Sequence, residues 1–452
     1  MHSANSTTAT IKRISGLFIA VLLSLYSFAQ ENSPYSRYGI GDLAPNRNVL
    51  NRGMGGISAA YSDIASPSIN LSNPASLGSL INTIYDLGGD IDIRNLKSNT
   101  SPQKFKSVNT IISYLQVGFP ITPRRMAAKG NSWGVSFGLR PVTRVNYKIE
   151  ENKRLPNVDS VKTLYEGNGG LSQANISTGI KIKNFSFGAS SGYAFGTKEF
   201  STKITPVNDT VLYYKSNSAN QTRFGGLFVN LGAQYDIKMK RNAVLRLGAY
   251  ANLEQHLHAN RDLVNETFTY GSDGGIAGID TITYTRGAKG TLNVPATYSA
   301  GFTYTNDHWL FGADIDFAKW ETYSLYGEKD AAVQNNYTFR AGAQYFAATD
   351  KTPASKYWSF VKYRTGFYYG NDYIKINKER PDYGVTFGAG FPLTSLRRNA
   401  FAFYREGLVV LNTGFEIGAR GNKQSQSIRE TTTRFSIGLS MNARWFQKVK
   451  YN

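Results

Sequence analysis

The chain has 452 residues, and 51 Lys and Arg against 31 Asp and Glu give it a formal net charge of +20. It has no cysteine, which excludes disulfides, thiolate metal sites, a catalytic cysteine and the lipidated cysteine of a lipoprotein. Hydrophobic residues make up 41% while mean hydropathy is −0.34, and Gly (44), Tyr (29) and Phe (26) are abundant, which argues against several soluble domains and for strands that are apolar on one face only.

Residues 1–29 have the build of a secretory signal peptide. Lys12 and Arg13 are followed by the apolar stretch Ile14 to Phe28, and Ser27 and Ala29 form a small-residue cleavage site. Cleavage after Ala29 leaves Gln30 as the mature start. No other stretch reaches the length of apolar sequence that a membrane helix needs.

Residues 30–78 are rich in Gly, Ser, Asn and Ala, with Pro at 34, 45, 67 and 74, and show no long alternation. Irregular backbone of this kind is tolerated at membrane depth only inside protein, so the segment is expected to form a small plug, or hatch, in the periplasmic mouth of a barrel.

Residues 79–452 read as one strand after another, because apolar and polar residues alternate with period two. Phe435, Ile437, Leu439, Met441, Ala443 and Trp445 share one face; Arg434, Ser436, Gly438, Ser440, Asn442 and Arg444 share the other. Leu245, Leu247, Ala249, Ala251, Leu253 and Leu257 oppose Arg246, Gly248, Tyr250, Asn252, Glu254, His256 and His258. These runs are longer than the strands of ordinary sandwiches. The expected fold is all-β, a transmembrane antiparallel β-barrel of about 14 strands with the small N-terminal hatch in its lumen. Strand starts are expected near Leu80, Ser107, Ser132, Leu171, Asn184, Thr222, Ala243, Thr291, His308, Tyr337, Tyr357, Pro381, Ala400 and Thr433. Lys238 to Asn242 and Asn306 to Asp307 suit periplasmic turns, whereas 197–221 and 259–291 suit extracellular loops.

Several motifs resemble the FadL-type outer-membrane transport proteins. Arg52-Gly-Met-Gly-Gly-Ile-Ser-Ala-Ala-Tyr-Ser-Asp63 followed by Asn73-Pro74-Ala75 resembles that superfamily's small-residue hatch and Asn-Pro-Ala motif. Pro295 to Gly301, with Trp309, Asp314 and Trp320, resembles a Pro-to-Gly strand and its successor. Ser33 to Asp42, Tyr363 to Gly370, Gly388 to Leu393 and Trp445 to Lys450 are similar to the Bacteroidota branch, to which PorV-like barrels are related. The resemblance implies fourteen strands, an internal hatch built from Arg52, Gly53, Gly55, Gly56, Asp63, Asn73, Pro74 and Ala75, and passage of hydrophobic compounds.

Few residues suggest chemistry. Glu254, His256 and His258 are spaced to enter a lumen together, where they would bind a metal or, more simply, form a polar patch; one strand cannot surround a metal. Asp314 and Asp316 fall on the inward face, where they would line a polar path or pair with Arg246 or Arg140. Gly274 to Asp280 reads as a flexible loop, and Gly53, Gly55 and Gly56 lack the strand and Lys-Ser/Thr of a phosphate loop. No nucleophile elbow is visible, so no enzyme activity, metal or cofactor is expected. The Lys and Arg are scattered singly, which excludes a nucleic-acid partner and suits outer-membrane lipid and lipopolysaccharide. The reading that follows is passive uptake of small hydrophobic compounds through a hatch-gated lumen in the outer membrane. The alternative is a non-transporting accessory subunit with protein partners in an outer-membrane machine, for type nine secretion or barrel assembly.

Overall fold

The computed structural model describes residues 33–63, 65–97, 104–155, 159–207, 214–272, 275–348, 356–376, 378–394, 407–421 and 428–443. The signal peptide, the strand start at Ala400 and the stretch Trp445 to Lys450 lie outside them.

Fourteen antiparallel strands close into a barrel. In chain order they are β1 (Thr83–Lys97), β2 (Lys104–Pro120), β3 (Ser132–Pro141, resuming as Thr143–Leu155), β4 (Asp159–Ile182), β5 (Phe185–Pro206) and β6 (Lys215–Lys238). Next come β7 (Val244–Asn252, resuming as Gln255–Tyr270), β8 (Ile276–Val294, resuming as Thr297–Thr305), β9 (Trp309–Ala318) and β10 (Asn336–Phe346). The last four are β11 (Lys362–Asn371), β12 (Pro381–Pro392), β13 (Val409–Arg420) and β14 (Arg429–Ala443). β14 pairs along its whole length with β1, from Arg429 against Lys97 to Ala443 against Thr83, which leaves no seam at the closure.

The alternation has the consequence expected of a barrel in lipid. Phe435, Ile437, Leu439, Val385 and Phe387 are exposed outside, while Ser436, Ser440, Asn442 and Thr386 are buried within. Aromatic neighbours mark both edges of the apolar belt. Trp309 faces Tyr345 and Tyr345 faces Tyr363 near the short turns; Tyr337 faces Phe317, and Tyr369 faces both Phe339 and Tyr383, near the loops. From Trp309 to Phe317 is about 26 Å of strand at roughly 3.3 Å per residue, or about 20 Å of depth at the usual tilt of roughly 40°, the scale of the apolar band of a membrane barrel.

The wall is lopsided. β4 and β6 have 24 residues and β5 has 22, whereas β9 and β11 have 10. A strand needs about 9–11 residues to cross a bilayer, so β3 to β8 continue well beyond it at the loop end. The stretches 197–221 and 259–291, expected as loops, are therefore largely strand. Their Ser-, Thr- and Asn-rich sequence lacks an apolar face because both faces meet water there, yet the backbone remains paired from Thr197–Arg223 to Ile204–Ser216 and from Ala259–Gly290 to Tyr270–Ile276. The turns expected at Lys238–Asn242 and Asn306–Asp307 are turns.

Residues 33–63 and 65–80 lie inside the barrel. They are not confined to one mouth but run through the lumen. Near the loop end Ser33 N–H donates to Asn146 O (2.8 Å), and the short strand Asp42–Leu43 pairs with Arg144 and Thr143 of β3. Helix α1 (Val49–Arg52) packs on β12, β13 and β14, and the 3-10 helix Pro74–Ser79 packs on β3, β4, β5 and β6 before the chain enters β1.

Candidate functional site

Glycines on the inward register of the strands make room for the inner segment. A Cβ on Gly366 would sit 2.2 Å from Gly55 N, and one on Gly248 2.1 Å from Ala59 O. Glycine is used here because backbone approaches backbone. Gly55 and Gly56 themselves have φ of +69° and +86°, the left-handed region that disfavours other residues.

Around this contact the segment is fixed to nearly every strand. Arg52 pairs with Asp90 of β1 at 2.5 Å, Arg47 with Asp316 of β9 at 2.7 Å, and Asp63 with Lys362 of β11 at 2.7 Å. Asp42 pairs with Arg94 of β1 at 2.5 Å and lies 3.8 Å from Arg420 of β13. Arg340 of β10 joins Asp316 at 2.7 Å and donates to Gly55 O at 3.1 Å. Asp314, almost fully buried, accepts from Ser58 N (2.5 Å) and Ala59 N (2.8 Å), so both inward aspartates hold the inner segment rather than Arg246 or Arg140. Arg246 does face the lumen, paired with Asp236 and donating to Ser62 O at 2.6 Å.

Asn73 is the neutral counterpart of these anchors. Its Nδ2 donates to Ala59 O (2.6 Å) and lies 3.3 Å from Ala249 O and 3.4 Å from Ala233 O, while its Oδ1 accepts from Ala75 N and caps the 3-10 helix that Pro74 begins. Asp63 shows how the charged anchors balance. Burial raises its carboxyl, but Lys362 and hydrogen bonds from Ser66 and Ala65 outweigh that and hold it at about 2.

The lumen is filled at the loop end. Tyr35 and Ile40 of the segment pack with Phe224, Leu257, Leu292, Trp320, Tyr323 and Tyr373 in a continuous apolar core. The buried Arg380 lies 3.4 Å over the Tyr35 ring and pairs with Asp372 at 2.6 Å. Beneath this core remains a cavity of about 300 Å³ lined by polar and apolar surface in similar measure, its charged groups including Arg47, Arg94, Arg140, Arg340, Arg420, Arg434, Asp316, Asp382 and Glu416.

Glu254, His256 and His258 do not enter the lumen: the structure places them exposed, with Leu257 fully buried between the two histidines. The cause is one extra residue at Leu253–Glu254. Below it Asn252 is opposite Asn230; above it His258 is opposite Gly225, a register displaced by one. A one-residue shift exchanges the two faces of every residue that follows. His308 sits at the turn before β9, with Nδ1 2.9 Å from Phe346 O. Gly274 lies outside the described residues, and Ile276 to Asp280 belong to β8. The anchors Arg47, Asp90, Arg340 and Lys362 were not singled out in the sequence; their only signal there is a charged residue on the inward register of an otherwise apolar strand, or an arginine in a small-residue segment.

The fold is similar to that of solved hydrocarbon channels. The Pseudomonas putida toluene transporter TodX is 16% identical with a TM-score of 0.53, covering 90% of this chain and 100% of its own. A Pseudomonas aeruginosa FadL homologue (14% identity, TM-score 0.51, covering 89% and 99%) and the monoaromatic hydrocarbon channel CymD (14%, 0.51, covering 91% and 100%) are similar to the same extent. No curated protein matches the sequence. The BamG family model matches residues 10–452, nearly the entire sequence, and the chain therefore belongs to the BamG family.

Proposed function

We propose that this protein is a sealed outer-membrane barrel acting as a non-transporting accessory subunit of the barrel-assembly machine. The observation that carries this reading is the way the inner segment is held: ion pairs to β1, β9, β11 and β13 fix it on all sides, under an apolar core that fills the loop end. Opening such a lumen would have to part several mostly buried charge pairs at once. A gate needs a cheaper alternative state. Charged groups on the lining of the residual cavity, Arg47, Arg340, Arg420 and Arg434 among them, would be desolvated by a hydrocarbon passing there. The name of the BamG family points to barrel assembly, and the exposed strand extensions of β3 to β8 offer surface outside the bilayer for a partner. In this reading the signal peptide delivers the chain to the outer membrane, the short turns face the periplasm and the long strands face outward.

Uptake of small hydrophobic compounds is the second reading, favoured by the FadL-like fold and by the breaks in β3, β7 and β8, where a wall could part. Purification of the tagged protein from its own outer membrane in mild detergent, with mass spectrometry of all that elutes, separates the two. Stoichiometric barrel-assembly components are the expected result. A solitary barrel carrying a reproducible hydrophobic ligand would overturn the proposal in favour of uptake.

A further inference from the structure

The three breaks in the wall meet at one place. β3 is interrupted at Val142, β7 at Leu253–Glu254 and β8 at Pro295–Ala296, and Arg140 to Val142, Asn252 with Gln255, and Val294, Pro295 and Thr297 all line the same cavity of about 300 Å³. Ladder irregularities of this kind persist where they re-aim side chains. Here the β7 shift turns Gln255 inward, with its Oε1 3.4 Å from Gln173 Nε2. Gln173 Oε1 in turn accepts from Arg140 Nη2 at 3.2 Å, and Arg140 Nη1 donates to Asn46 O at 3.3 Å.

Arg140 differs from the other arginines of the lining. Arg47, Arg52, Arg94, Arg340, Arg420 and Arg434 each hold a carboxylate. Among the described residues no carboxylate lies within ion-pair distance of Arg140; both of its hydrogen-bond acceptors are neutral. A guanidinium has five N–H donors and is suited to bidentate capture of an oxyanion. On the same lining, Asn230 and Asn336 are polar amides whose Oδ1 atoms have no donor among the described residues.

We propose that this chamber binds a small molecule with an oxyanion, a carboxylate or phosphate, on a hydroxylated, sugar-like body. Arg140 holds the anion, and Gln173, Gln255 and Asn230 meet the hydroxyls. The volume is at the small end of ligand sites, roughly 300–1,000 Å³, and admits one sugar unit. The site stands whether the barrel is a scaffold or a channel, since it is formed by the wall and the inner segment as they lie and needs no movement of either.

Binding of glucuronate, glucose 6-phosphate and glucose to the detergent-purified full-length barrel is measured by calorimetry, and binding of rough lipopolysaccharide by native mass spectrometry. The expected result is one equivalent of an anionic sugar, bound at least tenfold more tightly than glucose, with that preference lost in Arg140→Gln and partly kept in Arg140→Lys. Saturable binding of lipopolysaccharide alone, lost in Arg140→Gln, assigns the oxyanion to a lipid headgroup; binding of the free sugars assigns it to a solute. Equal affinity for glucuronate and glucose, an unchanged preference in Arg140→Gln, or binding of none of the four would overturn the proposal. Should Arg140→Gln lose the heat-modifiable migration of a folded barrel, Gln255→Leu takes its place: it should weaken glucuronate and glucose alike, and unchanged binding of both would overturn the proposal.

Discussion

Asn73 and Asp63 hold the inner segment by different means, and each has its own test. Asn73 is fully buried and bonded through both ends of its amide. Asn73→Ala leaves Ala59 O and Ala75 N without these partners, a loss of about 1–3 kcal/mol. The urea midpoint of the reconstituted barrel should fall, with the strand content of the folded state unchanged. Asp63 is held at about 2, below the ordinary 3.8, because Lys362 and two hydrogen bonds outweigh the cost of burial. A carboxyl lowered in the folded state stabilises above its unfolded value and loses that contribution as the pH falls through the folded one. Asp63→Asn should therefore be less stable than the parent at neutral pH, with the gap closing between about pH 4 and pH 2 in parallel urea titrations. A gap constant over that range would exclude the Lys362 pairing as its source. The Asn-Pro-Ala motif was legible in the sequence because its chemistry is local: an amide caps, and a proline begins a turn. The pairing of Asp63 with Lys362 was not, because it joins residues 299 apart and depends on which strands the lumen brings opposite each other.

The strands show where periodicity suffices and where it misleads. Fourteen strands were legible wherever lipid imposes an apolar face, as in Phe435 to Met441 or Tyr383 to Phe391. Above the bilayer that constraint ends, so Ser201 to Pro206 and Ile276 to Thr285 look like loops by composition although they are paired strand. A single extra residue was equally invisible. The alternation through Leu245 to Leu253 was extended across Glu254, and the histidines were placed on the wrong face as a result. The cysteine-free background makes this testable. On intact cells a membrane-impermeant maleimide should label His256→Cys and Ile282→Cys, whose native side chains are exposed, and leave Leu257→Cys unlabelled. Deleting Glu254 should reverse the pattern for the β7 pair, because removing the extra residue restores the lower phase. Labelling of Leu257→Cys in the undeleted chain would contradict the register.

For the whole molecule the question is whether the inner segment moves. Its backbone lies against inward glycines, its arginines pair with opposite walls, and an apolar core closes the loop end. On the proposed reading the barrel should show no conductance steps in planar bilayers, whereas deletion of residues 33–79 should give an open pore if the wall still folds. The most direct test is a covalent lock. A Cβ on Gly438 of β14 would lie 3.1 Å from that of Val49 in helix α1, so a shift of a few tenths of an ångström brings the pair into the roughly 3.5–4.5 Å range of a disulfide, and the chain has no other cysteine to compete. Val49→Cys combined with Gly438→Cys, oxidised in the outer membrane, should rescue a deletion strain as fully as its reduced form, because an accessory subunit needs no opening. Rescue that appears only under reducing conditions, with the disulfide verified and the barrel folded, would show that the segment must move and would contradict the account.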